Sequence, residues 1–250
     1  MVFLPILLDT IAVSLTVAIA LLLARHNHRS YFGLLFLVVY AVARVVNRLP
    51  SPDALGIHPE GLAYNWVGHL FMLAWVLIVV RIGPLRARDI GLTLAQRPGT
   101  VLPAVLVTLG VIAFKGGLTA LLGGAPAYDP MTETLFFQIT MPPLAHELLH
   151  SGLLLFLMIV ALGGRSVDQE FDWALPVVAA VIVTAFSHGV IFALRYDAGL
   201  QFNIAAFTTP FMGKVAYAWL RLSTGSLLFP VLAYSSSNLV VVLVQYLHAA

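Results

Sequence analysis

Three residues that can do chemistry together lie within five positions in the middle of the chain: His146, Glu147 and His150. They form the pattern His-Glu-x-x-His. Residues four positions apart lie on one face of a helix, so the two imidazoles would point in the same direction. Two neutral imidazoles placed in this way can bind one zinc ion, and the glutamate would stand beside the ion as a general base. A zinc-bound water is acidified towards neutral pH, so such a site would provide a nucleophile.

A zinc site of this kind needs a third protein ligand, and His188 in the next apolar segment is the best candidate. The pattern therefore predicts a Zn²⁺ site formed by His146, His150 and His188. The alternative is that these histidines and Glu147 hydrogen-bond between helices and have only a structural role. Other ionisable residues in apolar segments can likewise be either functional or structural. They are Asp9, His69, Lys115 and Lys214.

The composition indicates that these residues lie in a membrane protein. Of the 250 residues, 60% are hydrophobic and 10% are charged, whereas a soluble domain has about 25% charged residues. The net charge is only +2, and no block of five basic residues occurs, which argues against a nucleic-acid partner. Cysteine is absent, which excludes disulfides, thiolate metal sites and a cysteine nucleophile.

The apolar pattern predicts an all-α, polytopic membrane protein that forms a single domain over residues 1–250. Eight segments are apolar and long enough to be candidate spans: 2–24, 31–46, 66–82, 100–122, 134–162, 173–194, 202–222 and 226–246. Arginines are more frequent in the loops after the first, third, fifth and seventh segments. This bias predicts that these loops are cytoplasmic and that both termini lie outside. The arginines concerned are Arg25, Arg29, Arg81, Arg86, Arg88, Arg97, Arg165 and Arg221.

Two prolines, Pro142 and Pro143, precede the histidine cluster. Proline is tolerated in the first turn of a helix but disrupts its interior. The prolines therefore predict that the site begins a helix or follows a kink, and that it opens onto a cavity that water can enter.

The second half of the chain resembles the CAAX protease and bacteriocin-processing family, which includes the type II CAAX prenyl endopeptidases. The resemblance covers residues 86–241, with a protease-like core at about 86–246. The family pattern Glu-Glu-x-x-x-Arg corresponds to 146–151, Phe-x-x-x-His to 184–188, and His-x-x-x-Asn to 234–238. The run 213–233, together with Asp89-Ile-Gly-Leu92 and Pro98-Gly99, is also similar to the family.

Several positions depart from the family pattern. His146 replaces the first glutamate, Ser151 the arginine, Thr184 the phenylalanine, and Tyr234 the third-motif histidine. Three positions agree in kind, namely Glu147, His188 and Asn238. The resemblance implies an intramembrane endopeptidase of a prokaryotic cell membrane, acting on a membrane-associated protein or peptide and surrounded by membrane lipid.

Two active forms of the site follow from the resemblance. In one, Glu147 and His188 activate water while Asn238 and Tyr234 stabilise the oxyanion. In the other, His146, His150 and His188 bind zinc and Glu147 polarises water. The alternatives are a catalytically inactive relative that acts as a membrane binding or immunity protein, and a transporter that uses the intramembrane ionisable residues.

Overall fold

The computed structural model describes residues 3–24, 29–48, 64–83, 85–122, 131–164, 174–196 and 200–249. Two of the arginines used to predict orientation, Arg25 and Arg165, lie outside the described residues. Within these ranges about 84% of the residues are helical, in agreement with the helical fold that the sequence predicts.

The helices follow one another along the chain. They are α1 (Phe3–Ala24), α2 (Ser30–Arg48), α3 (Trp66–Ile82), α4 (Val101–Leu122), α5 (Met131–His146), α6 (Leu155–Ala161), α7 (Leu175–Ala193), α8 (Ile204–Thr224) and α9 (Leu228–Ala249). A π-helical segment, Glu147–Leu154, joins α5 to α6 without a break. The histidine cluster therefore lies where an α-helix changes into a π-helix.

Among the residues that the structure describes, six helices are long and apolar enough to cross a membrane. Their apolar stretches are Leu4–Ala24, Ser30–Arg48, Val101–Leu122, Thr132–Ala161, Leu175–Ala193 and Leu228–His248. The helix α3 is also apolar but has only 17 residues, and α8 is not among the six. The all-helical prediction is confirmed, and the count of eight spans is not confirmed by the six such helices found in the described part of the chain.

One short hairpin departs from the all-helical pattern. The strands β1 (Leu194–Tyr196) and β2 (Leu200–Phe202) pair antiparallel between α7 and α8. The predicted segment 202–222 begins later than expected, because the side chain of Asn203 caps α8 by accepting a hydrogen bond from the amide of Ala206 at 2.9 Å.

The long helix that carries the histidine pattern lies at the centre of the bundle. In this helix 89% of the most apolar 18-residue window is buried, against 50% or less of the corresponding window in the other five. Its π-helical segment contacts α2, α3, α7, α8 and α9. Side chains of Glu147–Leu154 are therefore surrounded by protein, and any polar group among them needs a protein or ligand partner.

The ionisable residue in α1 has a structural partner. Asp9 is buried and accepts hydrogen bonds from Arg44 Nε at 2.8 Å and Nη2 at 2.6 Å. The pair joins α1 to α2 inside the bundle. The structural interpretation of Asp9 is thus the better one.

Candidate metal centre

Three histidine side chains converge inside the bundle. His146 ends α5, His150 lies in the π-helical segment, and His188 reaches the same point from α7. Each residue contributes one ring nitrogen, and these three nitrogens all lie within 4.8 Å of one another. The ring centroids are 4.8 Å apart for His150 and His188, 5.1 Å for His146 and His188, and 5.7 Å for His146 and His150.

Each of these imidazoles has a buried nitrogen without a hydrogen-bond partner among the described residues. The atoms are Nδ1 of His146, Nε2 of His150 and Nδ1 of His188. The other nitrogen of His150, Nδ1, lies 3.3 Å from the carbonyl oxygen of His146. A carbonyl only accepts, so Nδ1 carries the proton and Nε2 keeps a lone pair. Buried polar atoms are normally satisfied, and a bound cation is a partner that neutral imidazole nitrogens can accept.

The donor set fits a transition metal. Neutral imidazole suits zinc, copper, iron and nickel. Nitrogens bound to one tetrahedral zinc ion at about 2.0–2.1 Å lie about 3.3 Å from one another. The nitrogens lie within 4.8 Å of each other, so small side-chain rotations would bring them to that spacing.

The prolines before the cluster do not begin a helix, contrary to one of the two expectations. Pro142 and Pro143 lie inside α5, where each prevents a hydrogen bond to the carbonyl four residues earlier. Those two carbonyls find partners on α9: Asn238 Nδ2 donates to Gln138 O at 2.9 Å, and Ser235 Oγ donates to Ile139 O at 2.8 Å. Helix α9 thus stabilises the proline-containing turn that leads into the site.

Glu147 is fully buried and has two partners. Its Oε1 forms an ion pair with Nζ of Lys214 from α8, which is also fully buried. Its Oε2 accepts a hydrogen bond from Ser151 Oγ at 2.5 Å. A carboxylate has about four acceptor sites, so Glu147 can accept a further hydrogen bond from water or substrate.

Two tyrosines connect the histidines with the lysines of α4 and α8. The rings of Tyr217 and Tyr234 stack at 5.2 Å, and the Tyr234 ring lies 6.3 Å from that of His188. Nζ of Lys115 lies 4.7 Å from the centroid of Tyr234, and Nζ of Lys214 lies 5.6 Å from it. Both ammonium groups are therefore stabilised by aromatic faces.

The structure brings most of the predicted site residues together. His146, His150 and His188 converge, and the ring of Tyr234 lies against that of His188. Glu147 is linked to Tyr234 through Lys214, whose Nζ pairs with the carboxylate and lies over the Tyr234 ring. Asn238 instead contacts the proline-containing turn, and its Oδ1 lies 3.5 Å from Nζ of Lys115.

Sequence analysis did not assign Ser151 or Lys214 as partners of Glu147. Ser151 has a recognisable signal, because it follows Glu147 by four residues and so lies on the same face. Lys214 lies 67 positions away along the chain, and no local pattern links the two residues.

Comparisons of the chain with protein-family models, curated proteins and solved structures found no match in any of the three.

Proposed function

We propose that this chain is a multi-pass membrane metalloprotein that hydrolyses a peptide bond in a membrane-associated protein or peptide. The observation that carries the proposal is the convergence of His146, His150 and His188, each with a buried nitrogen that lacks a partner. Their elements belong to the most buried part of the bundle, so the site is sheltered from lipid. The resemblance of residues 86–241 to CAAX-type intramembrane proteases agrees with this reaction.

The residues around the histidines have roles that suit hydrolysis. A bound Zn²⁺ would supply an acidified water and polarise a carbonyl. Glu147 is proposed as the general base, because Lys214 and Ser151 use only two of its acceptor sites. Tyr234 is proposed as a donor to the oxyanion because its ring lies against that of His188. Asn238 is the weakest member of the set, since its amide already binds Gln138.

Eight spans remain part of the proposal. The two additional spans would be α3 and α8, which have 17 and 21 residues. At about 1.5 Å per residue, α3 would be about 26 Å long, close to the hydrocarbon thickness of about 30 Å. The charge of Lys214 in α8 faces inward and pairs with Glu147, so it is compatible with a spanning helix. The host membrane is proposed to be a prokaryotic cell membrane.

A second function is favoured by the Glu147–Lys214 ion pair. Because both charged groups are fully buried and paired, the polar cluster can serve as a purely structural core. A catalytically inactive relative that binds or protects a membrane partner would use it in this way.

The test is to measure metal content and cleavage in the full-length protein. The protein is purified in detergent with added zinc and then desalted, and we expect about one zinc per chain. His150→Ala and His188→Ala should lose the metal, whereas His248→Ala should retain it, because His248 is exposed near the end of α9. Metal-free wild-type protein would overturn the metal centre.

Cleavage is then followed in vesicles with a set of fluorogenic membrane-spanning peptides. We expect cleavage that stops with a chelator and returns with zinc. Cleavage that survives metal removal would favour direct activation of water by Glu147 and His188. Loaded protein that cleaves no peptide of the set would favour the inactive relative.

A further inference from the structure

We infer that His69 on α3 is a fourth imidazole ligand of the same metal centre. The inference rests on the metal site proposed above. It adds a ligand from an element that lies outside the region of family resemblance, 86–241.

His69 lies directly beside His146, one of the three histidines. Its ring meets that of His146 edge-on, with centroids 5.5 Å apart. This separation falls within the range of 4.8–5.7 Å found among the other three rings. The four imidazoles therefore form a continuous cluster, with His69 at the end next to His146.

The orientation of His69 leaves one nitrogen available for a metal. Its Nδ1 lies 2.8 Å from the backbone carbonyl of Asn65, one turn earlier. That carbonyl can only accept, so Nδ1 carries the proton and Nε2 keeps its lone pair. His150 is oriented in the same way by the carbonyl of His146. Metal-binding histidines commonly donate their second N–H to a backbone carbonyl or carboxylate.

The start of α3 is fixed, which holds the backbone of His69 in place beside the cluster. Asn65 caps the helix by accepting a hydrogen bond from the amide of Gly68 at 2.9 Å, and its side chain donates to the carbonyl of Asn47 on α2 at 2.5 Å. The ring of Phe137 on α5 packs edge-on against His69 at 5.1 Å. With the backbone anchored, only the side-chain torsions of His69 have to be ordered when it binds a ligand.

Four imidazoles are compatible with both binding and hydrolysis. The group of mutually close nitrogens contains His146, His150 and His188, so coordination requires the His69 ring to swing towards His146. Zinc can expand to five ligands during catalysis, and a fourth imidazole therefore does not exclude a reactive water.

The absence of cysteine from the chain allows a direct test by a spectroscopic signature. In the full-length variant His69→Cys loaded with Co²⁺, a thiolate at position 69 should bind the ion and give a cobalt–thiolate charge-transfer band in the near ultraviolet. The matched control is Val76→Cys, which places a buried thiol on the same helix two turns away. This control should bind Co²⁺ with wild-type affinity and show no such band.

Affinity gives the second measurement. His69→Ala should bind Co²⁺ at least about tenfold more weakly than wild type in a chelator competition. His69→Cys should recover most of the loss. An unchanged affinity in His69→Ala, or no charge-transfer band in cobalt-loaded His69→Cys, would overturn the role of His69. In either case Co²⁺ binding that still depends on His188 would leave the three-histidine site intact, whereas wild-type protein without metal would remove the proposed function itself.

Discussion

At the scale of single residues, the ion pair between Glu147 and Lys214 is the feature with the largest energetic consequence. Both side chains are without solvent exposure. Removing one partner of a buried pair leaves an uncompensated charge, which costs about 3–5 kcal/mol, whereas replacing both partners can be neutral. The pair therefore constrains any test of Glu147 as a catalytic base.

We expect Glu147→Gln and Lys214→Met each to lower the free energy of unfolding by about 3–5 kcal/mol. The double variant should lose much less stability than the sum of the losses in the two single variants, because it leaves no unpaired charge in the interior. Denaturant unfolding in detergent, combined as a double-mutant cycle, measures the coupling. Ser151→Ala is the control, since it removes only a hydrogen bond to Glu147.

Additive losses in the double variant would show that the two charges are not coupled. Activity is read in the same set of variants. The double variant should be folded, metal-loaded and inactive if Glu147 is the base. Cleavage at the wild-type rate by that variant would remove Glu147 from the proposed mechanism while leaving the metal centre in place.

The residue scale also shows what the sequence can reveal. The spacing of His146 and His150 predicts a shared face, and the position of His188 in the next apolar segment makes it the best candidate for the third ligand. The structure brings all three together. The counter-charge of Glu147 could not be predicted, because it comes from a lysine on another helix whose position depends on tertiary packing.

At the scale of secondary-structure elements, the contact between α5 and α9 compensates for two prolines. Pro142 cannot donate a hydrogen bond to the carbonyl of Gln138, and Asn238 donates to it instead. Pro143 likewise cannot donate to the carbonyl of Ile139, which accepts from Ser235. Each of these two side chains on α9 therefore replaces the hydrogen bond that one particular proline cannot make. This pairing makes it possible to test the contact one hydrogen bond at a time.

We expect Asn238→Leu to lower the stability of the wild-type chain by about 1 kcal/mol, because a buried carbonyl then lacks a partner. In a Pro142→Ala background the amide of residue 142 can bond to Gln138 O, so the same substitution should cost measurably less. Thermal or denaturant unfolding in detergent gives both values.

Ser235→Ala provides the matched control for that cycle. It should lower the free energy of unfolding by the same amount with or without Pro142→Ala. The reason is that Ser235 donates its hydrogen bond to the carbonyl of Ile139, which Pro143 and not Pro142 leaves without a backbone donor. Equal costs of Asn238→Leu in the two backgrounds would contradict the compensation of Pro142. The amide of Asn238 would then be a stronger candidate for a hydrogen-bond donor to the oxyanion.

Most elements could be predicted from apolar length, and their ends lie within a few residues of the expected ones. The π-helical segment Glu147–Leu154 could not, because the residues there have no local preference that distinguishes a π-helix from an α-helix. Such segments are often found at functional sites, where packing decides the backbone. The hairpin after α7 was missed for a related reason, since its strands have only three residues each.

At the scale of the whole molecule, the number of spans decides on which side of the membrane each connection lies. Six helices satisfy both length and apolarity, and α3 and α8 would bring the total to eight. The two arrangements differ in where they place the connection before α4 and the hairpin before α8, relative to the C-terminal end of α9. Composition alone cannot decide between them, because α8 carries its polar side chains towards the interior of the protein.

The cysteine-free chain allows this difference to be measured with single cysteines at exposed positions. Leu94→Cys reports on the connection before α4, Gln201→Cys on the hairpin, and Leu247→Cys on the end of α9. With eight spans and both termini outside, a membrane-impermeant thiol reagent added to intact cells should label positions 201 and 247 but not 94. With six spans, positions 94 and 247 would lie on one side and 201 on the other. An eight-span chain of inverted orientation would be labelled only at position 94. Whether positions 94 and 247 lie on the same side of the membrane therefore tests the number of spans. Which of the positions are labelled from outside tests the orientation that the arginine distribution predicts.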